Sequence, residues 1–132
     1  MITPFDAEGG IDLAAAADFT EWQIAEGIHG LVPLGSTGEF LSLTDDEKAA
    51  VAETVIRKAA GRVPVLIGTG AESTDDVIRY SRQAEQLGAD GVMIIPPFYS
   101  TPTEDELFEH YLRIGEAIAL PIMIYNNPAT AN

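Results

Sequence analysis

The sequence contains no cysteine. That excludes disulfides, thiolate metal sites and a cysteine nucleophile, and it suits a reducing compartment. Basic residues are scarce: 7 Lys and Arg stand against 21 Asp and Glu, a formal net charge of −14. Nucleic-acid binding needs clustered Lys and Arg against phosphate, and anionic membranes ask for the same, so neither is expected as a partner. No apolar run approaches the roughly 18–20 residues that cross a bilayer. Met1-Ile2-Thr3-Pro4-Phe5 lacks the basic stretch followed by an apolar one that marks a signal peptide, and a cytoplasmic location is expected. Motifs are missing too. Gly68-Thr69-Gly70 is followed by no Gly-Lys-Ser/Thr and by no third glycine at dinucleotide spacing, so it is neither a P-loop nor a Rossmann fingerprint. The two histidines, His29 and His110, have no paired spacing for zinc. His29 is read as a turn residue and His110 as a structural mid-helix residue.

What is present suits a globular domain. The 132 residues are 46% hydrophobic, enough for one domain with a core of its own. Four short apolar runs read as strands buried on both faces: 30–34 (GLVPL), 63–68 (VPVLIG), 91–95 (GVMII) and 121–125 (PIMIY). Between them lie helical patterns. Asp12 to about Glu26 ends at Gly27. Thr44 to about Ala60 opens on a capping box, Thr44 with Glu47. Ser73 to about Leu87 has Ser73 as N-cap and Gly88 as stop, with Thr74-Asp75-Asp76 as an acidic first turn favoured by the helix dipole. Thr103 to about Ala119 opens on a second capping box, Thr103 with Glu106. The lone Trp22, at helical spacing from Phe19, is expected in the core, and Tyr80 and Tyr111 are expected to pack within their helices.

Strands recur about every 30 residues, the length of a βα unit, and strands alternating with helices predict a parallel sheet. Two architectures use that repeat, the doubly wound open sheet and the (β/α)8 TIM barrel. A barrel needs about 250 residues, so this chain would hold only about the first five units, half a barrel. Ile2-Thr3-Pro4-Phe5 reads as the tail of a first strand, and Tyr125-Asn126-Asn127-Pro128 follows a strand and stops. The expectation is one partial TIM-barrel domain over residues 1–132, from the end of strand 1 through strand 5. It has no internal boundary and belongs to a longer chain.

The small, hydroxyl-bearing and proline residues gather after the strands, in GSTGEF, GTGAESTDD, PPFYSTPTED and YNNPATAN. In a parallel α/β fold these loops share the face at the carboxyl ends of the strands, where ligands bind. Ser36, Thr37, Thr69, Tyr99 and Tyr125 are therefore expected to converge, with Glu39 as a nearby acid. GSTGE at 35–39 has two readings: an ordinary turn, or a small-anion site in which hydroxyls and glycine-freed amides face a carboxylate or phosphate.

Taken together in this order, GSTGE, GTG, PPFYSTP and YNNP, with TPFDAEGGID and LTDDEK, resemble the dihydrodipicolinate synthase/N-acetylneuraminate lyase family over essentially the whole chain. The resemblance implies a TIM barrel and a class I, pyruvate-handling aldolase. In such an enzyme a lysine on the sixth strand forms a Schiff base with a 2-oxo acid, and the iminium serves as an electron sink. It implies that Gly35, Ser36 and Thr37 hold the pyruvate carboxylate. It further implies that Thr37 belongs to a proton relay with two tyrosines, and that Tyr125 moves protons at the Schiff base. Tyr99 would be the relay tyrosine that reaches a neighbouring subunit. An unassisted phenol titrates near pH ~10 and is a poor base at neutral pH, so this role needs the relay. No metal or organic cofactor is implied. The expected partners are pyruvate or another 2-oxo acid, an aldehyde or sugar-acid substrate, and further copies of the same chain in a tetramer built as a dimer of dimers.

The sequence departs from the family pattern twice. The Schiff-base lysine would lie beyond Asn132, and Lys48 and Lys58 are both on predicted helices, so the 132 residues alone are expected to be inactive. Thr130 stands where the synthases proper carry an arginine for the second substrate's carboxylate, and with Ser36 it leans toward a sugar-acid substrate. Two other functions remain: a non-catalytic 2-oxo-acid binding module, and a doubly wound phosphate-binding domain with strands reordered around a switch point.

Overall fold

The computed structural model describes residues 1–127; Thr130 and the end of the YNNPATAN segment lie outside the described residues. Four helices form where the caps predict them. Helix α1 (Leu13–Ala25) starts at Asp12, whose carboxylate accepts the Ala15 amide at 2.8 Å. Helix α2 (Asp45–Ala59) and helix α4 (Glu104–Ala117) both open on a complete capping box, at Thr44/Glu47 and Thr103/Glu106. Helix α3 (Thr74–Leu87) is capped by Ser73 and stopped by Gly88 in the left-handed conformation. Each such cap satisfies orphan amides and contributes about 1 kcal/mol.

The sheet consists of β1 (Leu66–Gly68), β2 (Gly91–Ile94) and β3 (Ile122–Ile124), parallel and in sequence order. The predicted strand at 30–34 runs beside β1 but forms a single parallel bridge, Leu31 with Val65. The cause is Pro33. Leu31 donates to the Pro64 carbonyl at 2.9 Å, Leu66 donates to Leu31, and Gly68 donates to Pro33. The next rung requires an N–H from residue 33, which proline lacks. On the far side of this segment the Met1 nitrogen donates to the Val32 carbonyl at 2.9 Å. The expected first-strand tail is thus an extended segment beside 30–34, and Phe5 forms an antiparallel bridge with Ile11.

The helices pack in sequence, α1 on α2, α2 on α3 and α3 on α4. Their apolar faces meet the sheet in one core whose centre is Val55, Val77, Val92, Ile94 and Ile114, all fully buried. A singly wound order with no reversal is the order of a barrel wall. The doubly wound alternative fails here, because it requires strands reordered about a switch point.

Three packing expectations need correction. Trp22 is 56% exposed and stacks on Phe19 with ring centroids 5.6 Å apart. Helix α1 buries Ala16 and Thr20, one turn apart, and Trp22 lies on a different face. β3 is not buried on both faces: Met123 and Ile124 are 48% and 57% exposed, because β2 is its described neighbour on one side only. Tyr80 does more than pack. Its hydroxyl donates to Asp45 at 2.6 Å, and its ring lies beneath Lys48 and Arg79, tying α3 to the start of α2.

Candidate active site

The ligand face begins with a strained turn. Leu34, buried, takes a left-handed backbone with φ 61°, a conformation that costs a non-glycine residue energy. The chain then turns through Gly35 into a single 3₁₀ turn at Ser36–Gly38, followed by Glu39, also left-handed at φ 55°. Two contacts hold this turn in place. The hydroxyl of buried Thr3 donates to the Gly38 carbonyl at 2.8 Å. Gly68, at the end of β1, lets the Leu34–Gly35 peptide cross directly over it: a Cβ at residue 68 would overlap the Leu34 carbonyl oxygen and approach its carbon to 2.6 Å. The first glycine of the GTG motif therefore serves the shape of GSTGE rather than a phosphate.

Ser36 and Thr37 are exposed, and neither hydroxyl has a hydrogen-bond partner among the described residues. A shallow crevice at the ends of the strands brings together Gly35, Ser36, Phe40, Met93 and Tyr125. Tyr125 follows β3 and is fixed by its backbone, which donates to the Ile94 carbonyl at 2.9 Å. Hydroxyls, a phenol and a glycine-bounded turn can meet a small carboxylate without introducing a second amine.

Not every expected residue joins them. Thr37 stands beside the crevice rather than in its lining, and Tyr99 stands apart, 93% exposed. No hydrogen bond links Thr37, Tyr99 and Tyr125 to one another within the chain among the described residues. Thr69 does not converge with them. It is buried, and its hydroxyl is paired with Ser81 of α3 at 2.9 Å. Glu39 is exposed and near the turn, as expected.

The lysines lie elsewhere. Lys48 is 3.9 Å from Asp45 and lies against the Tyr80 ring, while Lys58 pairs with Glu21 at 3.3 Å. Neither lines the crevice with Ser36 and Tyr125. His110 is structural: it is buried on α4, with Nδ1 2.9 Å from the Thr74 hydroxyl, and burial, with Arg113 second, depresses its pKa. Tyr111 reaches the Ile94 carbonyl at 3.3 Å, and burial pushes its pKa up to about 12. Among the described residues no group of three metal-ligating side chains comes together, and no helix is long and apolar enough to cross a membrane.

The residue that sequence reading missed is Glu72. Its carboxylate accepts from the amides of Phe98, Tyr99 and Ser100 and from the Ser100 hydroxyl, so it controls the loop that bears Tyr99. No local pattern in the sequence marks it, because its partners lie 26 to 28 residues away.

Parallel strands in sequence order, alternating with helices and carrying a hydroxyl-bearing turn at their carboxyl ends, define part of a (β/α)8 barrel. The chain belongs to the dihydrodipicolinate synthetase family, whose profile matches residues 1–132. It is 48% identical over 128 residues to a 4-hydroxy-tetrahydrodipicolinate synthase of Rhodospirillum centenum, covering 97% of this chain and 44% of that protein. The corresponding enzyme of Agrobacterium fabrum is 47% identical with the same coverage. The chain thus spans less than half the length of the curated relatives it matches. Among solved structures, the Acinetobacter baumannii dihydrodipicolinate synthase complexed with pyruvate superposes with a TM-score of 0.97 at 37% identity, covering 99% of this chain and 45% of that one. YagE of E. coli K12, a dihydrodipicolinic acid synthase family protein also in complex with pyruvate, gives 0.94 at 38% identity, covering 98% and 44%.

Proposed function

We propose that the protein carrying this chain is a Schiff-base lyase acting on pyruvate or a related 2-oxo acid. In this reading residues 1–132 form the carboxylate-holding part of one partial-barrel domain. The observation that carries the reading is the crevice at the strand ends, where Gly35, Ser36 and Tyr125 come together, in a family in which the Acinetobacter baumannii enzyme and YagE are solved with pyruvate. Ser36 and Thr37 donate to the substrate carboxylate. Tyr125 passes protons at the Schiff base and to the departing oxygen. Tyr99, with its side chain exposed, completes the relay in a neighbouring copy, which makes the working form a homo-oligomer of cytoplasmic protein. The amine comes from outside these residues, since Lys48 and Lys58 are both engaged on helix surfaces. Condensation of the 4-hydroxy-tetrahydrodipicolinate type is favoured for the second half-reaction, because the relatives at 47–48% identity carry that name.

The chemistry balances simply. Amine and ketone lose one water to give the iminium, and borohydride delivers hydride to its carbon, leaving a stable secondary amine. The full-length protein incubated with pyruvate and borohydride is expected to gain one adduct, on a lysine other than Lys48 or Lys58. An unmodified mass removes the Schiff-base mechanism. It leaves the binding-module reading, which saturable, non-covalent pyruvate binding would support.

A further inference from the structure

Phe98, Tyr99 and Ser100 have no regular secondary structure, yet their three consecutive amides converge on one side chain. Glu72, in the loop after β1, accepts from Phe98 and Tyr99 at 3.1 Å on one carboxylate oxygen. Its other oxygen accepts the Ser100 amide at 2.9 Å and the Ser100 hydroxyl at 2.5 Å. Successive N–H groups aimed at one point make a concave anion site. Here the anion is supplied by the same chain, from 26 to 28 residues earlier. Charge-assisted bonds of this kind are roughly twice as strong as neutral ones.

The energetics agree with an ionised anchor. Desolvation disfavours the charged form of Glu72, but the Ser100 hydroxyl and the three amides outweigh it and hold the pKa below the ordinary glutamate value of 4.5. At neutral pH the carboxylate is charged and all four donors are satisfied. The Tyr99 side chain, by contrast, is 93% exposed. Its backbone is fixed while its phenol touches almost nothing. A loop whose backbone is gripped by one carboxylate, beside a Phe98 ring that meets Phe40 edge-on, and whose Tyr99 side chain projects free is built to present that side chain.

We infer that Glu72 is the positioning residue for Tyr99: by gripping the 98–100 backbone it fixes where the phenol stands, and it contributes to turnover through Tyr99 alone. The inference rests on the relay role proposed for Tyr99. Glu72 touches no substrate in this account. Its effect belongs in kcat, not in pyruvate binding, since Ser36 and Thr37 lie on a separate loop.

Glu72→Gln keeps the shape but removes the charge and turns an NH₂ group toward the donors. In the full-length protein, exchange of the amides in a peptide spanning residues 96–103 is expected to quicken by about tenfold. This readout does not depend on catalysis. Turnover is expected to fall by roughly tenfold or more, as loss of a proton-transfer partner does, with KM for pyruvate within about twofold. Glu72→Gln combined with Tyr99→Phe is expected to be no slower than Tyr99→Phe alone. Unchanged exchange in Glu72→Gln, or losses that multiply in the double variant, overturns the inference and leaves the relay reading intact. Full turnover in Tyr99→Phe overturns the inference by removing the relay itself, while borohydride trapping still judges the Schiff base separately.

Discussion

GSTGE at 35–39 and GTGAES at 68–73 look alike in sequence. Each follows an apolar run, and each holds glycines, hydroxyls and one acid. In the fold they have opposite fates. Ser36 and Thr37 are exposed, and their hydroxyls have no partner among the described residues, whereas Thr69 is buried against Ser81. Glu39 faces solvent, whereas Glu72 holds four donors. The difference arises from backbone direction. At Leu34 the chain leaves the strand through a left-handed residue, so the next hydroxyls face outward. After Gly68 it stays in register: the Thr69 amide still donates to Met93 of β2. Val65, Ile67 and Thr69 then share one buried face at period two. One loop is free to bind, and the other is spent on holding it and its neighbour in shape.

The largest effect is expected at Gly68. Gly68→Ala places a methyl group on the Leu34 carbonyl. It is expected to cost about 3 kcal/mol or more, seen as a lower urea midpoint, and to displace the GSTGE turn so that pyruvate binding falls too. Thr69→Val tests the second loop by itself. It leaves the Ser81 hydroxyl buried without its partner, at about 1–2 kcal/mol, while pyruvate binding stays within about twofold. A Ser81→Ala companion change should recover part of the loss.

The smallest effect lies outside both loops. Glu21 of α1 accepts two bonds from Arg62, at 2.8 and 2.9 Å, with Lys58 nearby. The Arg62 bonds, followed by the Lys58 contact, outweigh desolvation and hold its pKa down at about 2. A depressed carboxylate pKa contributes stability that is fully present above the ordinary value of 4.5 and is lost as pH falls toward about 2. The pair is solvent-exposed, so the contribution is small and screened by salt. Glu21→Gln should unfold slightly more easily than the parent at pH 7 and equally easily near pH 2. A difference that persists in acid would show that the charge is not its source.

These particulars show how much of the molecule was legible in the sequence. The helices were readable because their ends carry chemistry: Thr44 with Glu47, Thr103 with Glu106, and Ser73 with Gly88 each specify a terminus by a local hydrogen bond. The strand at 30–34 was legible in its apolar composition, but its broken ladder depends on which neighbour Pro33 faces. Thr69 continues the buried alternation of Val65 and Ile67 rather than opening a loop at Gly68, and that alternation is visible in the sequence. Trp22 could not be placed from spacing alone, because an apolar stripe does not say which face meets a neighbour. Glu72 was out of reach because its partners are 26 to 28 residues away. A carboxylate that caps a distant loop leaves no local pattern.

In the proposed function the GSTGE hydroxyls are held in reserve for a substrate carboxylate. That role is tested most directly by borohydride trapping of the full-length protein across a pyruvate titration, comparing the parent with Thr37→Val. Because the Thr37 hydroxyl has no partner among the described residues, its loss should leave the unfolding free energy within about 0.5 kcal/mol. The pyruvate concentration needed for half-maximal trapping should rise by about tenfold or more, the loss expected when a hydroxyl bond to a charged group is removed. Half-maximal trapping at the parent's pyruvate concentration would contradict the account and return GSTGE to the status of a turn.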